Sequence, residues 1–360
     1  MDCRGSSPRA ACFTKHDSMV YFDITKSGTA RHRSGLTRVS TRLREEWSDG
    51  TTPVTWGRWN REMKPDDWFF SPEVFSTEDR PGWSEWLAGV RCRRAAIYHD
   101  AIPLKHPHIT WPHSVARHAL YMKQLARFDH VFAVSEASRM ELLGFWQWQG
   151  VKPEGTVTTL ALGADGLRLP RPSARIDPPT LSLLVVGILE PRKNQMLALR
   201  VAERLWEDGL PVALHVVGRV NPHFGAPTLR RIKDLQKSAP GRVIFHEAAD
   251  DRKLAKLYSR SRLTLFPTLA EGCGLPLLES LWFGVPCICS DLPVLRENLL
   301  QGGCVSLPVE DVEAWVEASK RLLTDDVGWL RLADDALRRV LPTWAQAVAA
   351  IRERCARAEP

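Results

Sequence analysis

The 360-residue sequence has no apolar run long enough to cross a bilayer. The longest, Leu181 to Leu189, is interrupted by Ser182 and falls far short of the roughly 20 residues that a spanning helix needs. Residues Met1 to Ser18 hold Arg4, Arg9, Lys15 and His16 and no continuous apolar stretch, so they read as a polar tail and not as a signal peptide. None of the eight cysteines forms a Cys-x-x-Cys pair. Cys92, Cys287 and Cys289 lie in apolar surroundings, as reduced thiols of a cytosolic core do, which argues against a disulfide frame or a zinc site. Cys287 and Cys289 fall on one face of an expected strand, but a metal would need two further ligands, and no metal is expected. The chain also lacks repeats, coiled-coil heptads, a Gly-x-Gly-x-x-Gly fingerprint and a Gly-Lys-Ser/Thr phosphate loop. A dinucleotide oxidoreductase is therefore disfavoured.

What is present is an ordinary soluble composition, 44% hydrophobic and 25% charged, in a chain long enough for two cores. The formal charge of +7 admits an anionic partner, whether nucleic acid, a phosphate-bearing substrate or an anionic membrane face, without choosing among them.

Along the chain, Met19 to Ile24 reads as a first strand. A loop rich in glycine, serine and basic residues follows over Lys26 to Leu36, and a helix starts near Thr37. Strand, glycine-bearing loop and helix in that order make a doubly wound α/β unit. Ala95 to Tyr98 and Asp129 to Ser135 read as strands, Val115 to Arg127 as a helix, and Ser135 or Ser138 as the cap of the next helix. Residues 53–90 interleave aromatics with prolines and charges and resist assignment. Four prolines between 167 and 179 exclude a helix or central strand, which marks an interdomain linker. Beyond it, strands at Leu181–Val186, Val212–Val217, Val243–Phe245, Leu263–Phe266 and Pro286–Cys289 alternate with helical patterns, as a parallel sheet covered on both faces requires.

Three segments carry candidate chemistry. In Pro267 to Ser280, PTLAEGCGLPLLES, a strand runs into a loop with Glu271, Gly272 and Gly274, then into a helix that opens at Leu275. Its free backbone amides suit phosphate, and Glu279, a turn in, suits a vicinal diol such as ribose. Each glutamate alone is as readily a solvated residue near a helix start. Gly187 to Asn194 places Arg192 and Lys193 after a strand-end glycine, where they suit a diphosphate or are simply a solvated basic turn. Tyr98-His99-Asp100 ends a strand of the first half. His99 can donate to a substrate hydroxyl or stabilise charge, with Asp100 holding its tautomer or acting on the acceptor; a lone histidine is more often structural.

With these residues on view, the chain resembles the retaining glycosyltransferases of family 4. The resemblance implies a GT-B fold: α/β, with two doubly wound Rossmann-like domains whose parallel sheets face each other across a cleft. The family's paired-glutamate motif is similar to Glu271, Gly272, Cys273, Gly274, Leu275, Pro276 and Glu279. This implies that Glu279 holds the donor ribose and Glu271 faces the donor sugar. Lys193 resembles the phosphate-binding lysine, with Arg192 replacing the arginine that many members carry where this chain has Ile188. Ser34 to Val39 resembles the glycine loop, Gly35 matching its donor-contacting glycine, and His99-Asp100 resembles the active-site His-Asp pair. The implied organisation is a tail (1–18), an acceptor-side domain (19–166), a linker (167–179), a donor-binding domain (180–343) and a helix from Trp344 crossing back to the first domain (344–360).

The implied activity is metal-independent transfer of a hexose, with no cofactor, from a nucleotide sugar to a glycan or lipid-linked acceptor. GDP-mannose is favoured as donor and a UDP-sugar is the alternative. The implied setting is surface polysaccharide synthesis at the inner face of a bacterial cell membrane. Arg31, Arg33, Arg38, Arg42 and Arg44 beside the Trp56–Trp86 region suggest docking on anionic lipid. Competing readings are a sugar-nucleotide epimerase or a phosphorylase of the same architecture, a partner-binding scaffold, and a nucleic-acid binder prompted by charge alone. No specific nucleic acid is expected.

Overall fold

A computed structural model describes residues 18–30, 34–58, 62–174 and 180–357. The polar tail up to residue 17, Arg31, His32, Arg33, Trp59 and the linker stretch 175–179 lie outside the described residues.

Among the described residues, twelve strands form two six-stranded sheets in which every neighbouring pair is parallel. The first is built from β1 (Val20–Asp23), β2 (Thr51–Val54), β3 (Trp68–Ser71), β4 (Arg93–Tyr98), β5 (His130–Ala133) and β6 (Thr156–Thr159), in the order β2-β1-β3-β4-β5-β6. The second holds β7 (Ser182–Val186), β8 (Ala213–Val217), β9 (Val243–His246), β10 (Leu263–Phe266), β11 (Cys287–Ser290) and β12 (Cys304–Leu307), in the order β12-β11-β10-β7-β8-β9. Central strands β1, β3, β10 and β11 are buried along their whole length. Parallel strands covered on both faces need that, and it explains why apolar residues predominate in them. Pro53, which cannot donate to a ladder, sits in the edge strand β2.

The first half carries α1 (Gly35–Glu46), α2 (Trp83–Gly89), α3 (Ile102–Lys105), α4 (Pro112–Leu125) and α5 (Glu136–Trp148). The second carries α6 (Gln195–Glu207), α7 (Ala226–Ser238), α8 (Asp251–Arg260), α9 (Leu275–Trp282), α10 (Pro293–Arg296), α11 (Val312–Thr324) and α12 (Asp326–Arg338), before α13 (Trp344–Arg357). Side chains cap two helix starts of the first half. Ser34 Oγ accepts from Thr37 N at 3.1 Å and Ser135 Oγ from Ser138 N at 3.0 Å. Helix α13 returns to the first sheet: Trp344, Ala347, Val348, Ile351 and Cys355 share one buried cluster with Phe22, Val39, Leu43, Phe70 and Ile97.

Most of the described aromatics of residues 53–90 are core. Trp68, Phe69, Phe70, Phe75 and Trp83 are buried, and Trp56 and Trp86 pack against them. Arg42 is also buried, on Glu45 and Glu46. The tryptophan-rich surface suggested by the sequence is thus absent among the described residues of that segment, because the rings fill the space between sheet and helices. Leu167, expected in a linker, is buried, and the Arg171 guanidinium donates to the carbonyls of Arg339 (2.6 Å) and Ala336 (2.5 Å). Residues 167–171 are therefore packed on the second half.

Candidate active site

Both sheets turn the carboxyl ends of their strands toward the same junction, where the crevice of an open α/β sheet lies. From the second sheet, β7 runs into Gly187, whose φ of 153° suits glycine. A Cβ there would lie 3.2 Å from the Lys193 stem, so the lysine folds flat over this glycine. Asn194, left-handed at φ 48°, turns the chain from the Pro191–Lys193 turn into α6. The loops after β7 and β10 are stapled together: Leu269 N donates to the Arg192 carbonyl at 2.7 Å, and Arg192 Nη1 donates to Ala270 O at 2.9 Å.

That stapling brings Lys193 Nζ to 2.5 Å from Glu271 Oε1, which also accepts from Thr268 Oγ1 at 2.7 Å. Arg192 is 3.3 Å from Glu271 and 2.8 Å from Glu190. Burial opposes charge on Glu271, but Lys193 and Arg192 outweigh it and hold the carboxyl below its ordinary range. Burial pushes the Lys193 ammonium down, with Glu271 pulling the other way.

Gly274, left-handed at φ 84°, precedes α9 and provides no side-chain cap, and Pro276 occupies its first turn. Glu279, one turn in, is 1% exposed. It accepts from Tyr258 Oη at 3.2 Å and pairs with Arg38 of α1, across the junction. Burial raises its pKa against the pull of Arg38 and Tyr258.

From the first sheet, His99 follows β4 and is buried. Its Nε2 donates to Pro72 O at 2.8 Å, which leaves Nδ1 as the acceptor of a neutral ring. Burial lowers its pKa, so the neutral form persists. The ring is thus oriented by the Pro72 carbonyl, and Asp100 Oδ1 accepts from Ile102 N at 3.0 Å; of the expected roles, those in which the neutral ring donates to a hydroxyl or Asp100 holds its tautomer have no hydrogen bond here to support them.

His99 and Asp100 line a cavity of about 440 Å³ in the first half, with Lys26, Glu73, Phe75 and Arg117. Gly35, the first residue of α1, faces open space.

Gly272 joins the halves. Its carbonyl accepts from Ser135 Oγ at 2.7 Å and Ser138 Oγ at 3.1 Å, and a Cβ on it would stand 2.3 Å from His99 O. Glu297 accepts from Ala137 N at 2.8 Å, at the start of α5. Farther out, the Trp111 and His223 rings lie 3.7 Å apart. The structure thus gathers Lys193, Arg192, Glu271, Gly272, Gly274, Leu275 and Glu279 with His99 and Asp100 at one junction.

Sequence reasoning missed the carboxylate frame beneath the cavity. Glu73 accepts from Lys26 N at 2.8 Å and Ser27 N at 2.7 Å, and Arg80 Nη2 bridges Glu73 at 3.0 Å to Asp23 at 2.5 Å. A carboxylate at the carboxyl end of a strand, Asp23 closing β1 and Glu73 two residues beyond β3, was the available signal. Among the described residues no group of three or more His, Cys, Asp and Glu is placed to hold a metal, and no helix is long and apolar enough to cross a membrane.

Two parallel-sheet, Rossmann-like domains joined in this way define the GT-B fold. The family described as "Glycosyl transferases group 1" matches residues 171–337, which contain the whole Lys193–Glu279 half of the site. The chain is 29% identical over 280 residues to the serotype-specific mannosyltransferase WbdA of Escherichia coli, covering 70% of this chain and 34% of that protein. It spans about a third of the length of the first such relatives. In three dimensions it resembles the trehalose-6-phosphate synthase OtsA, with a TM-score of 0.66 at 11% identity over 95% of this chain and 100% of the other. It also resembles the sucrose-phosphate synthase of Thermosynechococcus elongatus, with a TM-score of 0.60 at 21% identity over 80% of this chain and 72% of the other.

Proposed function

We propose that the protein is a retaining, metal-independent hexosyltransferase that uses a nucleoside diphosphate sugar, with residues 180–343 binding the donor and 19–166 the acceptor. The observation that carries this reading is the convergence of Lys193, Glu271, Glu279 and the uncapped start of α9 opposite His99. In it the diphosphate lies against Lys193, Arg192 and the amides at Gly274 and Leu275, with Gly187 and Gly272 allowing close approach. Gly35 faces the donor from the other domain, and Glu279 takes the ribose hydroxyls. Glu271 faces the sugar, and His99 and Asp100 face the acceptor in the 440 Å³ cavity.

In the proposed reaction the bond between the anomeric carbon and the phosphate oxygen breaks while an acceptor oxygen bonds to the same face of that carbon. The acceptor proton passes to the departing phosphate oxygen. Fixed cations and amides then stabilise charge growing on the diphosphate, the largest effect such a site offers. Glu271 is held by Lys193 and Thr268 and acts as a fixed charge, so the scheme has no glycosyl-enzyme intermediate. GDP-mannose is the donor we favour, on the likeness to a relative named for mannosyl transfer, and a cytoplasmic glycan or lipid-linked oligosaccharide is the acceptor.

The test is a thermal-shift comparison of GDP, UDP, ADP and their sugars, followed by product analysis. Free nucleoside diphosphate together with a lengthened acceptor is expected. No stabilisation by any nucleotide would reject the reading, and an altered sugar nucleotide without an acceptor product would point to an epimerase.

A further inference from the structure

The carboxylate assigned to the ribose is already taken. Arg38, one turn into α1 of the first domain, pairs with Glu279 and lies 3.9 Å from Asp251 of α8. Glu279 is buried, and the Arg38 side chain is 20% exposed. Gly166 closes the third side, since a Cβ there would sit 3.1 Å from Glu279 Oε1 and 3.6 Å from Arg38 Cδ. Diol hydroxyls cannot reach Glu279 while the guanidinium fills this space.

The cations on the donor side are also committed. Lys193 and Arg192 share Glu271 and Glu190, and Arg38 shares Glu279 and Asp251, so three cations face four carboxylates. A diphosphate entering this arrangement lacks an uncompensated positive charge among these groups. Releasing Arg38 would supply one. Glu279 lies four residues beyond Leu275 on α9, about 6 Å along the helix axis, a span that a rotating arginine side chain covers.

Resting on the nucleotide-sugar reading above, we propose that Arg38 is a donor-binding residue that exchanges partners. It holds Glu279 while the site is empty, gives that carboxylate to the ribose hydroxyls when the donor enters, and moves to the diphosphate as its third cation. Because α1 belongs to the opposite domain, the exchange ties nucleotide binding to the seating of the two domains. The arginine thus acts with opposite sign on the two parts of the donor. It competes with the nucleoside, whose apparent affinity is lowered by the fraction of molecules in which Glu279 is occupied, and it assists the phosphates.

This opposition gives the test. The full chain and its R38A, R38K and R38Q variants are titrated calorimetrically with the nucleoside diphosphate that stabilises the wild type and with the matching nucleoside. R38A is expected to bind the nucleoside about 3- to 10-fold tighter and the diphosphate about 10-fold or more weaker, with R38K recovering part of the diphosphate affinity. If R38A loses its thermal transition, R38Q replaces it, being uncharged and of similar reach. Changes of the same sign for both ligands, or changes within twofold for both, overturn the partner exchange while leaving the nucleotide reading intact. A wild type that binds no nucleoside diphosphate removes both.

Discussion

Lys193 Nζ and Glu271 Oε1 are 2.5 Å apart, and the pair joins the loops after β7 and β10. Removing the lysine takes away the proposed phosphate contact and leaves Arg192, 3.3 Å from Glu271, as the remaining cation paired with that carboxylate. Lys193→Ala is expected to weaken nucleoside diphosphate binding by about 10- to 100-fold, the worth of a charged hydrogen bond. Calorimetric titration measures it, and unchanged affinity would remove Lys193 from the phosphate site.

Gly272→Ala tests the junction itself. Its new methyl, fixed to the backbone, would meet the His99 backbone carbonyl oxygen at 2.3 Å, so no rotamer relieves it. The domains must separate slightly, and the Ser135 and Ser138 bonds to Gly272 lengthen. We expect turnover to fall by at least about tenfold, since small misplacements at a reacting centre are that costly. Small-angle scattering should show a larger radius of gyration, and a wild-type radius with wild-type turnover would contradict the packing.

His99→Ala should lower turnover by about 10- to 100-fold, the worth of one buried hydrogen bond that orients the acceptor hydroxyl, with little change in nucleotide affinity. Since burial keeps the imidazole neutral below its ordinary pKa of 6.5, wild-type activity should persist below pH 6.5 on the acid side. Single-turnover rates across pH distinguish this from a limb centred at 6.5.

Acid should destabilise the fold through a buried and a half-buried histidine. His130, between Thr156 and Thr158, and His246, beside His215, are both pushed down to about 4, first by burial. Their folded pKa values lie below the unfolded value of 6.5, so the unfolded chain binds more protons in that window. Stability is full above pH 6.5 and falls as pH drops from 6.5 toward 4. Thermal midpoints measured across that range should decline, with a shallower decline in His130→Gln.

The second domain was the more legible because its strands are mostly apolar and its helical segments alternate with them regularly, and because Glu271 and Glu279 lie in one short segment. Lys193 and the Glu271–Glu279 segment sit at strand ends that hydropathy alone locates. The reading stopped at Cys289, leaving β12, α11 and α12 unassigned. In the first domain, Pro53 disguised β2 as a break, and the Trp68–Ser71 strand was lost among aromatics that serve a core. Asp23, Glu73 and Arg80 meet only after folding. Arg38 and Glu279 stand 241 residues apart, so no local pattern could pair them. The caps at Ser34 and Ser135 are local, and Ser135 was readable for that reason.

The return of α13 to the first sheet has a consequence for biosynthesis. Trp344 and Ile351, both fully buried against strands laid down early in translation, emerge only after the entire second sheet has been made. The first half therefore leaves the ribosome with an apolar groove still unfilled and must be held soluble until its last helix arrives, whereas the second half can complete its own core without waiting.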